Sequence, residues 1–130
     1  MSLTRYAGAM LAERVGVGAA AGLAPGALLK SFGISAEEDS PTLRYFARLF
    51  AVRNAVLGVL VWEARQDPPR LERIAWINAA TELVDAAAAA APLASGRTKP
   101  QAAAGAIGAS LAVSAAFAGL ALRARRARRP

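Results

Sequence analysis

Arg48, Arg53 and Asn54 interrupt an otherwise apolar run, TLRYFARLFAVRNAVLGVLVW, from Thr42 to Trp62. Asn78, Glu82 and Asp85 interrupt the next such run, and Glu13 and Arg14 the first. If Thr42 to Trp62 is a helix, its 21 residues span about 31 Å, enough to cross the hydrocarbon core of a bilayer. Arg53 then lies about 12 Å from Tyr45 and about 13.5 Å from Trp62, close to mid-membrane. An arginine at that depth costs at least ~2.5–3.5 kcal/mol and calls for a partner. Asn78, Glu82 and Asp85 are spaced four and three apart and share one helical face. Counted from Trp76, Glu82 lies about 9 Å deep and Asp85 about 13.5 Å, so the spacing predicts that Arg53 pairs with Asp85 or Glu82, in bidentate fashion where geometry permits. Arg44 and Arg48 fall almost opposite Arg53 and are expected to turn outward or to meet another helix. Glu13, Arg14, Arg48, Arg53, Glu82 and Asp85 are three acids and three bases, a set able to compensate itself. Such a network either fixes helix register and orientation, or forms a polar pocket that binds a small ligand or relays protons.

Other chemistry is excluded by what the chain lacks. The 130 residues contain no cysteine and no histidine. Disulfides, thiolate or imidazole metal sites, His-ligated haem and a Ser-His-Asp triad are therefore unavailable to the chain alone. No catalytic residue, cofactor or metal site is expected. Hydrophobic residues make up 55% of the sequence and alanine roughly a quarter, above the composition of ordinary soluble domains. Net charge is +7, concentrated in the final RARRARRP. Arginines that follow a hydrophobic helix without interleaved aromatics read as a topology signal with affinity for anionic headgroups; no nucleic-acid partner is expected.

Four apolar segments must position these side chains, and their ends carry local signals. The first span is expected from about Tyr6 to Leu29. Gly18, Gly22 and Gly26 recur every four residues there, a face on which another helix can approach closely, and Pro25 should kink the helix or end its regular part. Lys30 to Ser40 reads as a loop that Gly33 opens and Glu37, Glu38 and Asp39 make acidic. Ser40-Pro41 is a helix start, with serine at the cap and proline at the first helical position. After the second span, residues 42–62, the segment EARQDPPR reads as a tight polar turn, with Trp62 and Trp76 on its two sides at headgroup depth. The third span is expected over 71–91, a loop over Pro92 to Lys99, and a fourth span over 101–122 that holds no charged residue. Gly105, Gly108, Ala112, Ala115 and Gly119 give it a small-residue stripe suited to helix packing, and Ser110 and Ser114 offer hydrogen bonds between helices. No period-two strand pattern and no phosphate-loop glycines are present.

The run ARLFAVRNAVLGVLVW, preceded by LAPGALLKSFGIS and followed by ELVDAAAAA, resembles small bacterial four-span membrane proteins of unknown function, distantly similar in layout to DoxX-like proteins. The positions that carry the resemblance are Pro25, Arg48, Arg53, Gly58 and Asp85. It implies a fold and a membrane location and no reaction; the thiol-linked redox roles suggested for some DoxX-like proteins find no support in a chain without cysteine.

The expected fold is all-α, a four-helix transmembrane bundle of up-down-up-down connectivity in one domain, residues 1–122, followed by a basic cytoplasmic tail, 123–130. Arg5, Arg65, Arg70, Arg73 and the five tail arginines would share one face, which puts both termini in the cytoplasm and the chain in a bacterial inner membrane. The function expected first is that of a non-enzymatic accessory or structural subunit, its partners the lipid bilayer and a membrane protein or a second copy of the chain. A small proton-coupled transporter, and a membrane enzyme acting on a lipid or quinone, are the alternatives.

Overall fold

The structure, a computed structural model, describes residues 2–31, 34–94, 96 and 100–128. Those residues are all-helical, without a strand: α1 (Leu3–Leu23), α2 (Pro25–Ser31), α3 (Pro41–Glu63), α4 (Pro68–Ala94) and α5 (Pro100–Ala127). A 3-10 turn, Ala64–Gln66, links α3 to α4. Four long helices thus stand where four were expected, with a short fifth added.

The extra helix is the work of Pro25. The first apolar run breaks at Ala24 (φ −133, ψ 58), and α2 starts on the proline itself, because proline lacks the N–H that a continuous helix needs but fits a first helical position. Gly33 lies outside the described residues, as do Arg97 and Lys99. Helix α3 begins as its sequence signals, Ser40 accepting a hydrogen bond from the Leu43 N–H at 3.2 Å with Pro41 in the first turn. The Asp67-Pro68-Pro69 segment corrects the expected turn. Asp67 Oδ1 accepts from the Arg70 N–H at 3.1 Å, so the prolines are the first turn of α4 rather than part of the connection. Helix α4 also continues to Ala94, beyond the expected end at 91. Helix α5 continues to Ala127, so residues read as a separate basic tail are its last turns.

The long helices lie in two close pairs: α1 lies along α3, and α4 along α5. The pairs are joined most firmly at the end where the N-terminus, the 3-10 turn and the C-terminus meet. There Ala7, Met10, Val61, Ala64, Leu71, Ile74, Phe117 and Leu120 form the apolar core, and the Tyr6 hydroxyl donates to the Ala116 carbonyl at 2.9 Å. Ser114 Oγ ties α5 to α4 through the Ala79 carbonyl at 2.9 Å.

Glycines let α1 and α3 come this close, although only some of the expected ones take part. A Cβ on Gly18 would stand 3.2 Å from the Ala51 carbonyl oxygen, and one on Gly58 3.1 Å from the Arg14 Cβ. Gly22 is in ordinary contact distance of Ala51, while Gly26 faces the side chains of Asp39 in the loop and Arg44 in the first turns of α3. The packing role expected for Gly105 and Gly108 is not met within this chain, since a Cβ at either would meet nothing within 4 Å. Both lie on exposed positions of α5, whose contact with α4 is made through other small residues such as Ala103 and Ala121.

Size and polarity are distributed unusually. Alanine is the commonest residue of the interior, which includes Arg14, Asn54, Asn78, Glu82 and Ser114, whereas Leu49, Val52, Val56, Val59, Ile77, Leu83, Val84 and Leu111 face outward. Two helical segments, Pro41–Gln66 and Ala103–Ala127, are long and apolar enough to cross a membrane. Helices α1 and α4 do not reach that measure, because Glu13 and Arg14 in one and Asn78, Glu82 and Asp85 in the other lower their hydropathy.

Candidate functional site: a buried arginine beneath a cavity

Midway along the long helices, α1, α3 and α4 deliver their polar residues to one point. Arg14 of α1 is 1% exposed, the largest fully buried side chain in the described part of the molecule. Its Nε donates to Asn78 Oδ1 at 3.1 Å, and its Nη1 donates to Asn54 Oδ1 at 2.7 Å and to Glu82 Oε1 at 2.5 Å. The two asparagines can only act here as acceptors. Asn54 Nδ2 donates to the Phe50 carbonyl at 2.9 Å and Asn78 Nδ2 to the Ile74 carbonyl at 3.0 Å, each one turn back along its own helix. With the amide nitrogens so engaged, the oxygens must face Arg14. Phe117 of α5 completes the enclosure, its ring centroid 4.7 Å from the guanidinium carbon, an arrangement that favours a cation. Gly58 makes room for the arginine stem, which explains why α3 carries glycine one turn after Asn54.

The second ion pair lies one helical turn further along. Arg53 forms the expected fork with Asp85, Nη1 to Oδ1 at 2.7 Å and Nη2 to Oδ2 at 2.5 Å, and its guanidinium sits over the Phe50 ring at 4.7 Å. This pair is partly exposed, 33% for the arginine and 25% for the aspartate side chain, so removing one of its partners leaves a better-solvated charge than it would at Arg14. Of the two carboxylates anticipated for Arg53, Asp85 takes that role and Glu82 belongs to Arg14.

Glu13 stands beside this network without entering it fully. Its Oε2 is 3.9 Å from the Arg14 Nε, a nitrogen already engaged with Asn78, and that oxygen is buried with no hydrogen-bond partner. Arg14 Nη2 is buried without one as well. Arg48 is not brought in: it is exposed on α3, consistent with the outward face on which its spacing puts it. Arg44, one turn earlier, binds Asp39 of the preceding loop, Nη2 to Oδ2 at 2.7 Å. That hydrogen bond holds the Asp39 carboxyl below the usual carboxylate range.

Above the polar layer, on the side away from the apolar core, the two helix pairs part and line a half-open cavity of about 320 Å³. Glu13, Arg14, Asn54, Glu82 and Asp85 supply its polar surface, while Val17, Leu29, Phe46, Phe50 and Val113 are among its apolar walls. Helix α2 contributes Leu28 and Leu29, so the break at Pro25 turns the end of the first apolar run over the cavity. The sequence pairs Arg53 correctly but does not single out Arg14 as the hub. The signal available was Arg14 preceding Gly18 by one turn, matched by Asn54 preceding Gly58 on the neighbouring helix. The alignment of the two is a matter of register, which periodicity alone does not determine. Among the described residues no cluster of acidic side chains is suited to holding a metal ion. Compared with protein-family models, curated proteins and solved structures, the chain matches none.

Proposed function

We propose that this chain is a four-span protein of a bacterial inner membrane with both termini in the cytoplasm, and that it is a non-enzymatic binding or accessory subunit. Its Arg–carboxylate network holds the helices in register and forms the floor of a small-molecule cavity. One observation carries the reading: the interior holds a nearly fully buried arginine hydrogen-bonded to Asn54, Asn78 and Glu82, while large aliphatic side chains cover the outside. Water as solvent favours the opposite distribution; lipid favours this one, because ionisable groups inside a membrane are paired and face the bundle interior. The distribution of cations supports the orientation. Arg5, Arg65, Arg70, Arg73 and the α5 arginines gather at the end closed by the apolar core, where Trp62 and Trp76 also lie. Helices α1 and α4 are then membrane-embedded by association with α3 and α5 despite their lower hydropathy. The DoxX-like layout belongs to the same reading.

The Glu13 carboxylate, next to Glu82 and without a hydrogen bond at its buried Oε2, favours a second reading, a small proton-coupled carrier, since a proton is the simplest neutraliser of an acid in low dielectric. An enzyme acting on a lipid or quinone has no comparable support. Extraction in mild detergent followed by native mass spectrometry distinguishes these. A small molecule retained by the native chain and lost from Ala106→Phe, which fills the cavity, supports the binding subunit. Recovery of the chain in the soluble fraction without detergent would contradict the membrane reading.

A further inference from the structure

We propose that the cavity binds a monovalent organic cation with a compact apolar body, its charge held by Glu13. This rests on the cavity being a binding site, as argued above, and assigns the chemistry of the ligand. The polar floor holds three carboxylates, Glu13, Glu82 and Asp85, and one guanidinium, Arg14; Arg53, outside the lining, adds a second positive charge through its pair with Asp85. Asp85 is matched by Arg53 through two hydrogen bonds, and Glu82 by Arg14 at 2.5 Å. Arg14 spends its Nε on Asn78 and Nη1 on Asn54 and Glu82, leaving Glu13 Oε2 at 3.9 Å and without a hydrogen bond. One acid is in excess. No other described element supplies the missing cation: α5 presents Ala106, Ala109, Ser110 and Val113 to the cavity, while Lys30 of α2 and Arg48 of α3 are exposed and outside its lining.

The remaining walls choose among cations. A divalent metal would need several free oxygen ligands, and Glu13 is a single free carboxylate beside largely apolar walls. An anion would meet an excess of negative charge. An alkylammonium or quaternary ammonium group fits, because it binds a carboxylate and an aromatic face together. Phe46, 59% exposed and packed edge-on against Tyr45, lines the cavity as the aromatic ring there that carries no arginine, whereas Phe50 is covered by Arg53. The volume of about 320 Å³ lies at the small end of ordinary small-molecule sites, ~300–1,000 Å³, which limits the apolar body to roughly one ring or a short chain. A proton would compete for the same oxygen, so cation binding should weaken on acidification.

The full chain in nanodiscs can be titrated with phenyltrimethylammonium, its neutral isostere tert-butylbenzene, and benzenesulfonate, following the backbone amide shifts of Val17 and Val113. The cation should saturate these shifts in the native chain and lose about tenfold in affinity on Glu13→Gln, equivalent to ~1.4 kcal/mol. Glu13→Asp should retain most of the affinity, and the neutral and anionic probes should bind more weakly than the cation. Equal binding of cation and neutral isostere, or an affinity untouched by Glu13→Gln, would overturn the assignment. If Ala106→Phe still abolished that indifferent binding, the cavity would stand as a site and only its cation chemistry would fall. Absence of any saturable shift in the native chain would overturn both. Should Glu13→Gln fail to fold, the comparison of the three probes and Glu13→Asp decides the matter.

Discussion

Arg14 is the residue on which the interior depends, because a guanidinium that is 1% exposed relies on the hydrogen bonds that its Nε and Nη1 make to Asn78, Asn54 and Glu82. Removing one partner of such a pair ordinarily costs ~3–5 kcal/mol, mainly because the charge left behind is unpaired. In a double-mutant cycle on thermal unfolding in detergent, Arg14→Ala with Glu82→Ala should therefore show strong favourable coupling, the double variant losing less than the two single losses added. The same cycle on Arg53 and Asp85 should give a smaller coupling, since that pair is partly exposed. Equal couplings would mean that solvent reaches both pairs alike. At the loop, Asp39 offers a pH-dependent test. Its carboxyl is held below the ordinary range by the hydrogen bond from Arg44. The contribution is present above the unfolded carboxylate pKa and lost as pH falls through the lower folded value. Asp39→Asn should thus melt below the native chain near neutral pH, and the gap should close as pH falls below the ordinary carboxylate range. A gap independent of pH would place the effect of Asp39 in packing rather than charge.

Between helices, close approach is concentrated on α1 and α3, and substitution should reveal it. Gly58→Leu puts branched carbons where the Arg14 Cβ is already 3.1 Å from an added Cβ. Overpacking of this kind costs ~1–3 kcal/mol and would also displace the polar layer. Gly108→Leu meets open space and should leave the melting temperature of the isolated chain near that of the native one. A destabilisation at Gly108 matching that at Gly58 would show that α5 packs against a second chain. Helix ends were the most legible part of the sequence at this scale. Ser40-Pro41 begins α3 and Pro25 breaks the first run, because caps and prolines act through local backbone geometry. Pro68-Pro69 misled for a related reason: a proline stops one helix and starts another with equal ease, and the cap at Asp67 decides which. The stripe at Gly105 and Gly108 misled because small residues permit close packing without specifying the neighbour.

For the whole molecule, the fork between Arg53 and Asp85 could be foreseen since both residues lie on consecutive helices joined by a short turn, at matching depths. The Arg14 hub could not, because it depends on how two helix pairs meet, and that meeting is set by non-local register. Cavity and hub arise together from it: the pairs close over the apolar core at one end and part above the polar layer at the other. The proposed four-span arrangement makes the most direct prediction. The chain has no cysteine, so single cysteines at Ser2, Ala36, Gln66, Ala94 and Ala127 are each unique reporters, all at exposed positions. With an impermeant maleimide applied to intact cells, positions 36 and 94 should label, and positions 2, 66 and 127 only after the membrane is opened. Labelling at position 127 in intact cells, or equal labelling at all five, would contradict a four-span bundle with cytoplasmic termini.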